Sequence, residues 1–189
     1  FVAGAAVQWL RDGLHLFKNA SETQAIAESV KDTDGVYFVP AFTGLGAPYW
    51  DPNARGMISG ITRATTSAHI VRAALEAQAY QTKDLMKAFV ADGGTDPQVI
   101  RADGGLVANE FVCKFLATML GKPVEIPEVT ETTALGAAYM AGLQAGVYKD
   151  LEDIASKWKC ARRYEAASAL QGSAVLYDGW QNAVRKVLS

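Results

Sequence analysis

The sequence predicts an α/β domain built in layers. Short apolar runs, typical of buried strands, alternate with longer stretches in which apolar residues recur every three to four positions. Glycine or proline closes most of these segments. Strands that alternate with helices in this way are typical of helices packed on a sheet. At 189 residues the chain is long enough for one domain or two tightly packed subdomains.

The first part of the chain predicts two helices. Small and apolar residues over 4–11 predict a short helix, and a second, mixed helix is predicted over 21–31. Ser21 stands where an N-cap is expected, and Gln24 occupies the capping-box position three residues later.

Two strands and a long loop follow. A buried strand is predicted over 36–39, where Pro40 ends the hydrogen-bond ladder, and another over 57–62. Between them, residues 43–52 are rich in glycine and proline, which excludes regular structure there. Tyr49 and Trp50 in this loop are expected to pack against the domain.

The strongest predicted helix begins near Ser67, its expected N-cap, and ends at Gly93 and Gly94. Arg72 and Glu76 are expected to form an i,i+4 ion pair on its solvent side. Its apolar residues form one stripe with helical spacing: Val71, Leu75, Ala79, Thr82, Met86 and Phe89.

The remaining segments continue the alternation. Strands are predicted over 99–102 and 124–126, with a helix that begins near residue 108 between them. A helix rich in small residues is predicted over 134–145, then a capped segment over 151–158. The spacing of Leu176, Trp180, Val184 and Val187 predicts a final amphipathic helix.

Composition excludes several classes of protein. The formal charge of −2, from 18 basic and 20 acidic residues, argues against a nucleic-acid or polybasic membrane surface. Cys113 and Cys160 have no further Cys or His at metal-ligand spacing, which excludes a zinc knuckle or a disulfide framework. No membrane-spanning run or signal peptide is visible, so we predict a cytoplasmic protein.

The sharpest local pattern is the stretch 102–109, in which a predicted strand ends at a glycine pair before a predicted helix. Glycine lets the backbone approach a ligand closely, and the first amides of a helix favour an anion such as a phosphate. The alternative is a tight turn in which glycine relieves backbone strain and Asn109 is only an N-cap. The residues of this stretch leave both interpretations open.

Other candidate sites have weaker support. Residues 43–46 lack the Lys and Ser/Thr of a Walker phosphate loop, which favours a structured loop. His15 and His69 have no Ser, Cys or Asp partner at the spacing of a nucleophilic triad. Glu125, Glu128 and Glu131 follow one extended stretch and are interpreted as a solvated edge.

Longer motifs carry a family resemblance. The stretch 39–52, VPAFTGLGAPYWDP, resembles the signature of glycerol kinases. Residues 56–61 and 69–76 together resemble the second signature of the wider FGGY carbohydrate kinase family. The similarity continues through 103–109 and 133–139 to Tyr164 and so covers nearly the whole chain.

The resemblance implies that residues 1–189 are the C-terminal, nucleotide-binding domain of a two-domain kinase. The implied fold is the ribonuclease-H-like, actin-like ATPase fold, with a central mixed sheet flanked by helices. Positions that match the family's nucleotide contacts are Gly4, Gln8, Gly105 and Asn109. The family's catalytic aspartate, most polyol contacts and first phosphate loop precede residue 1, in the N-terminal kinase domain.

The implied activity is Mg²⁺- and ATP-dependent phosphorylation of glycerol to glycerol 3-phosphate, with ADP as the second product. Without the partner domain, the isolated chain is expected to be inactive and at best a weak binder of ATP or ADP. Two alternatives stay open: another sugar or polyol kinase of the family, and a noncatalytic nucleotide-gated module on the same fold. The sequence leaves a homo-oligomer open as well.

Overall fold

The computed structural model describes residues 3–167 and 172–188. Its helices are α1 (Ala3–Asp12), α2 (Thr23–Glu28), α3 (Ser67–Ala91), α4 (Glu110–Leu120), α5 (Thr132–Gln144), α6 (Leu151–Ser156) and α7 (Ser173–Arg185). Its strands are β1 (Tyr37–Val39), β2 (Met57–Ser59), β3 (Ile100–Arg101), β4 (Val124–Pro127) and β5 (Cys160–Tyr164). Two 3-10 turns, Ala20–Glu22 and Gly105–Ala108, precede α2 and α4. This mixture confirms the predicted α/β class.

The strands form two sheets. β1 and β2 make an antiparallel pair, whereas β3, β4 and β5 form a three-stranded sheet in which β4 is central. This second sheet is mixed, because β4 runs parallel to β3 and antiparallel to β5. Val124 and Ile126 of β4 are buried on one face of the sheet, where they pack on Cys113 and Ala117 of α4. The glycine turn thus leads from the end of β3 into the helix that covers this sheet.

α3 is the central element of the fold. It contacts α1, α2, α4, α7 and β1. Consequently the predicted stripe underestimates its burial: every residue from Ala73 to Tyr80 is buried, whereas Phe89, near the end of the stripe, is 51% exposed. Tyr80 stacks on Trp180 of α7, with ring centroids 5.5 Å apart.

Burial also corrects the predicted position of the Arg72–Glu76 pair. The two side chains do pair, with Nε and Oε1 2.8 Å apart, but Glu76 is only 3% exposed and does not face solvent. Arg72 donates to the carbonyls of Ala27 and Val30, and Tyr80 donates to Glu76. Burial raises the pKa of Glu76, and its bonds to Arg72 oppose that shift. The pair therefore fastens α2 to α3 inside the domain.

Two N-caps in the structure are different residues from the ones that the sequence predicts. Asn19, not Ser21, precedes the first 3-10 turn, where it forms a capping box with Glu22. Thr66, not Ser67, caps α3, and its capping-box partner is His69. Ser, Thr and Asn side chains can all accept the capping hydrogen bond, so when they are neighbours the sequence alone does not predict which of them is the N-cap.

The loop over 43–52 is irregular, as predicted, but its two aromatic residues behave differently. Tyr49 packs inward and donates to Asp84 at 2.8 Å. Trp50 is 75% exposed, so the expectation that it packs is wrong for the described residues. A cavity of about 600 Å³ lies beside this loop.

Candidate functional site

Gly4 and Gln8 occupy one exposed face of α1. They are separated by about one helical turn, and both are exposed. The opposite face of α1 is buried through Ala6, Val7 and Leu10. The apolar pattern of α1 therefore turns both candidate residues outward.

The two glycines at residues 104 and 105 serve different structural needs. Gly104 has φ of 84° and ψ of −179°, a backbone conformation that is essentially restricted to glycine. Gly105 begins the second 3-10 turn, and its φ lies outside the left-handed region. Both are exposed, and a Cβ atom built on either would meet no atom within 4 Å. The turn needs glycine at 104 for its conformation, whereas no contact among the described residues requires glycine at 105.

Asn109 is the N-cap of α4, as one of the two sequence interpretations predicts. Its Oδ1 accepts from the backbone N–H of Val112 at 3.3 Å. Its Nδ2 donates to Oγ1 of Thr23 on α2 at 3.1 Å. A primary amide has two N–H groups and two lone pairs on its oxygen, so one donor and one acceptor remain for a ligand.

The first amides of α4 are partly occupied by the protein itself. Oε1 of Gln24 accepts from the N–H of Glu110 at 3.1 Å, and Asn109 occupies the N–H of Val112. These two groups are therefore not free to bind a phosphate, so the helix start offers an anion fewer amides than the sequence alone suggests. The open features of the turn are the glycine backbone and the remaining capacity of the Asn109 amide.

The candidate residues are brought to one region by the packing of their elements. α1 lies next to the 3-10 turn Gly105–Ala108, and α2 lies between α3 and the start of α4. A cavity of about 170 Å³ beside the turn is lined by Asp103, Leu106 and Val107 among others, and none of the four candidate residues lines it. Gly4 and Gln8 thus belong to an element that contacts the turn of Gly105, and this turn leads to Asn109.

The contacts of Thr23 and Gln24 with this region were missed by sequence reasoning. Thr23 is 2% exposed, and both side chains reach residues 86 positions later in the chain. No local pattern signals a contact of that range. The sequence feature that could have indicated these contacts is a hydroxyl side chain followed by an amide side chain near the start of a predicted helix.

Other candidates prove to be structural. His69 belongs to the cap of α3, and the His15 ring contacts the carbonyl of Arg11. Glu125 is not solvated as predicted, because it pairs with Arg163 of β5 and with Arg101 of β3. Glu128 and Glu131 are exposed.

Possible metal ligands and membrane-spanning helices are described for residues 3–167 and 172–188. There, no group of three or more His, Cys, Asp or Glu side chains is placed to hold a metal ion. Within the same ranges, no helix has the length and apolar content that a membrane crossing needs.

Comparison with known proteins identifies the family. Residues 1–145 match the model of the FGGY family of carbohydrate kinases, C-terminal domain. The chain belongs to the FGGY family of carbohydrate kinases. This confirms the resemblance that the motifs at 39–52 and 56–76 predict.

Individual FGGY kinases extend the comparison. Glycerol kinase 1 of Pseudomonas aeruginosa is 59% identical over 189 residues, and the chain covers 38% of its length. A crystal structure of Plasmodium falciparum glycerol kinase with ADP matches 99% of the chain and 37% of that protein, with a TM-score of 0.86 and 33% identity. A ligand-bound xylulose kinase from Lactobacillus acidophilus matches 97% of this chain and 38% of its own, with a TM-score of 0.81, but its 23% identity shows the fold alone. The chain therefore spans well under half the length of these relatives.

Proposed function

We propose that this chain is the nucleotide-binding part of a glycerol kinase, which transfers the γ-phosphoryl group of ATP to glycerol. Two relatives support the proposal by their names. Glycerol kinase 1 of Pseudomonas aeruginosa is 59% identical to this chain, and the structure of Plasmodium falciparum glycerol kinase with ADP matches it with a TM-score of 0.86. The proposal also includes an N-terminal kinase domain, which supplies the catalytic base, and a cytoplasmic location.

The observation that carries the proposal is the exposure of Gly105 together with its backbone conformation. This residue is exposed, has an ordinary φ and has open space where a side chain would stand. The turn would accept a larger residue there, so glycine is best explained by a ligand that lies against the main chain. A nucleotide at this position would lie against the 3-10 turn that leads directly to Asn109, four residues later in the chain.

The residues support a binding role for the nucleoside better than for its phosphates. Asn109 keeps one donor and one acceptor, and an amide with both matches the N6 and N7 edge of adenine. Gln8, on the exposed face of α1, offers a second amide of the same chemistry. In a kinase the remaining task is to hold the phosphoryl group in line with the attacking hydroxyl, which we assign to the partner domain.

Mg²⁺ belongs to the proposed reaction as the ion that neutralises the nucleotide phosphates. Kinase sites hold this ion with one or two carboxylates together with phosphates and water, and the described residues contain no group of three or more potential ligands placed for a metal ion.

The test compares the two glycines in the full-length enzyme. Gly105→Ala should leave the melting temperature nearly unchanged and raise the KM for ATP at least about tenfold, because the added methyl group displaces the nucleotide. The matched control is Gly104→Ala, which should lower the melting temperature, since its backbone conformation costs a non-glycine residue about 1–3 kcal/mol. The KM for glycerol should stay within about twofold in Gly105→Ala, since most polyol contacts are expected in the partner domain.

An unchanged KM for ATP in Gly105→Ala would contradict the proposed site, as would a selective rise in the KM for glycerol.

The 189-residue chain alone should form no glycerol 3-phosphate from glycerol and Mg-ATP. A panel of other polyols assayed with the full-length enzyme separates glycerol kinase from a related FGGY sugar kinase, and the absence of any phosphotransfer would favour the nucleotide-gated module.

A further inference from the structure

The side chain of Thr23 lies at the junction between α2 and the candidate nucleotide site. It is 2% exposed, and its Oγ1 makes two hydrogen bonds of different kinds. The hydroxyl donates to the carbonyl of Ala20 at 2.7 Å, and the same oxygen accepts from Nδ2 of Asn109 at 3.1 Å. Because its hydrogen is committed to Ala20, Thr23 can present only an acceptor to Asn109.

This acceptor decides which way the Asn109 amide is turned. The end that faces Thr23 must carry the N–H groups, and the end that faces the backbone N–H of Val112 must carry the oxygen. Both neighbours therefore require the same one of the two amide orientations. The donor and the acceptor that remain for a ligand are fixed in space by the same two contacts.

We infer that Thr23 is a positioning residue for nucleotide binding, which acts by holding the Asn109 amide in the orientation that the nucleotide requires. The inference rests on the proposed function and adds a residue to it. Thr23 touches no ligand in this account. Its effect passes through one hydrogen bond to Asn109.

The neighbouring contact provides a matched control. Gln24 also joins α2 to the start of α4, but it accepts from the backbone N–H of Glu110 and not from the Asn109 amide. A variant that removes the Gln24 side chain loses an inter-helix hydrogen bond of comparable length, 3.1 Å in both cases. The two variants therefore separate loss of helix packing from loss of amide orientation.

The experiment uses the full-length enzyme with ATP, ADP and glycerol. Thr23→Val has nearly the same shape as threonine but no hydroxyl, so the Asn109 amide loses one of the two contacts that fix its orientation. We expect the KM for ATP and the Kd of ADP from calorimetry to rise about five- to tenfold, equivalent to one hydrogen bond. Thr23→Ser restores the hydroxyl and should return both values to within about twofold of the wild type. Gln24→Ala should lower the melting temperature without raising either value by more than about twofold.

A double-mutant cycle decides whether the effect passes through Asn109. If it does, adding Thr23→Val to Asn109→Ala should produce no further rise in the Kd of ADP, because the two residues act as one unit. Additive effects would overturn the inference, and so would an unchanged Kd in Thr23→Val. If Asn109→Ala itself leaves the Kd of ADP unchanged, the proposed nucleotide site is wrong. That result is distinguishable from a failure confined to Thr23.

Discussion

Asp84 lies in the second half of α3, is 4% exposed and accepts hydrogen bonds from four side chains. The donors come from the 43–52 loop and from α7: Tyr49, Tyr177, Trp180 and Gln181. A buried carboxylate without a cation needs several donors to replace its lost hydration. This residue consequently ties together three segments that are distant in the sequence.

Replacing one oxygen of Asp84 by an amide tests this account. In Asp84→Asn the NH₂ group must face two of the donors, whichever way the amide is turned. We expect the free energy of unfolding to fall by about 2–4 kcal/mol, since hydrogen bonds to a charged group contribute about 1.5–3 kcal/mol each. Urea denaturation followed by tryptophan fluorescence measures this.

The matched variant for Asp84→Asn is Tyr49→Phe, which removes a single donor to Asp84. It should cost about 1–2 kcal/mol, less than the amide substitution. If both variants unfold at the same urea concentration, Asp84 does not have the joining role described above.

At the scale of elements, α4 depends on how its two ends are closed. Asn109 caps its start, and Gly121 closes its end in the left-handed conformation, with φ of 65°. Gly136, inside α5, has a φ outside the left-handed region. A Cβ atom would meet no neighbour within 4 Å at either position, so the two glycines differ mainly in backbone conformation.

Alanine at these two positions should therefore have opposite effects. Gly121→Ala should destabilise the domain by about 1 kcal/mol, because a side chain disfavours the left-handed conformation. Gly136→Ala should stabilise it by up to about 1 kcal/mol, because alanine is the better helix former. Thermal denaturation of the two variants under the same conditions measures the difference. Equal shifts of the same sign would contradict the conformational explanation.

Local chemistry explains which elements the sequence predicts well. Apolar spacing predicts α1, α3, α4 and α7, and the glycine pair predicts the turn before α4. β5, over Cys160–Tyr164, was not predicted, because its Cys-Ala-Arg-Arg-Tyr sequence lacks an apolar alternation. It is mostly exposed and is held by backbone pairing with β4, a long-range interaction that no local pattern contains.

The candidate site shows the same division. Asn109 as an N-cap follows from a strand, a glycine pair and a helix in succession, which are all local features. The burial of Glu76 and the contact of Thr23 with Asn109 depend on how α2, α3 and α4 pack together. Sequence motifs therefore predict the positions of the site, whereas the structure is needed to show how its amide is oriented.

For the molecule as a whole, four tyrosine side chains make the fold sensitive to alkaline pH. Burial is the largest cause that raises the pKa of Tyr37, Tyr49, Tyr80 and Tyr177 above the ordinary value near 10, and the carboxylates of Glu76 and Asp84 add to it. The unfolded chain has no such environment, so its phenols ionise near pH 10. Folded and unfolded states therefore bind different numbers of protons above that pH.

The sign of the effect follows from proton linkage. Above about pH 10 the folded state retains protons on these phenols and the unfolded state releases them, so the free energy of unfolding falls as the pH rises. The stabilising contribution is fully present below pH 10.

We expect the urea midpoint to decrease steeply between about pH 10 and 11. Tyrosinate absorbance at 295 nm from these four residues should appear only as the circular dichroism of the fold is lost. Tyr49→Phe removes one of the phenols and should make the decrease shallower, whatever it does to stability at pH 7. Complete ionisation of all seven tyrosines near pH 10 with the circular dichroism intact would show that these side chains are not protected by the fold.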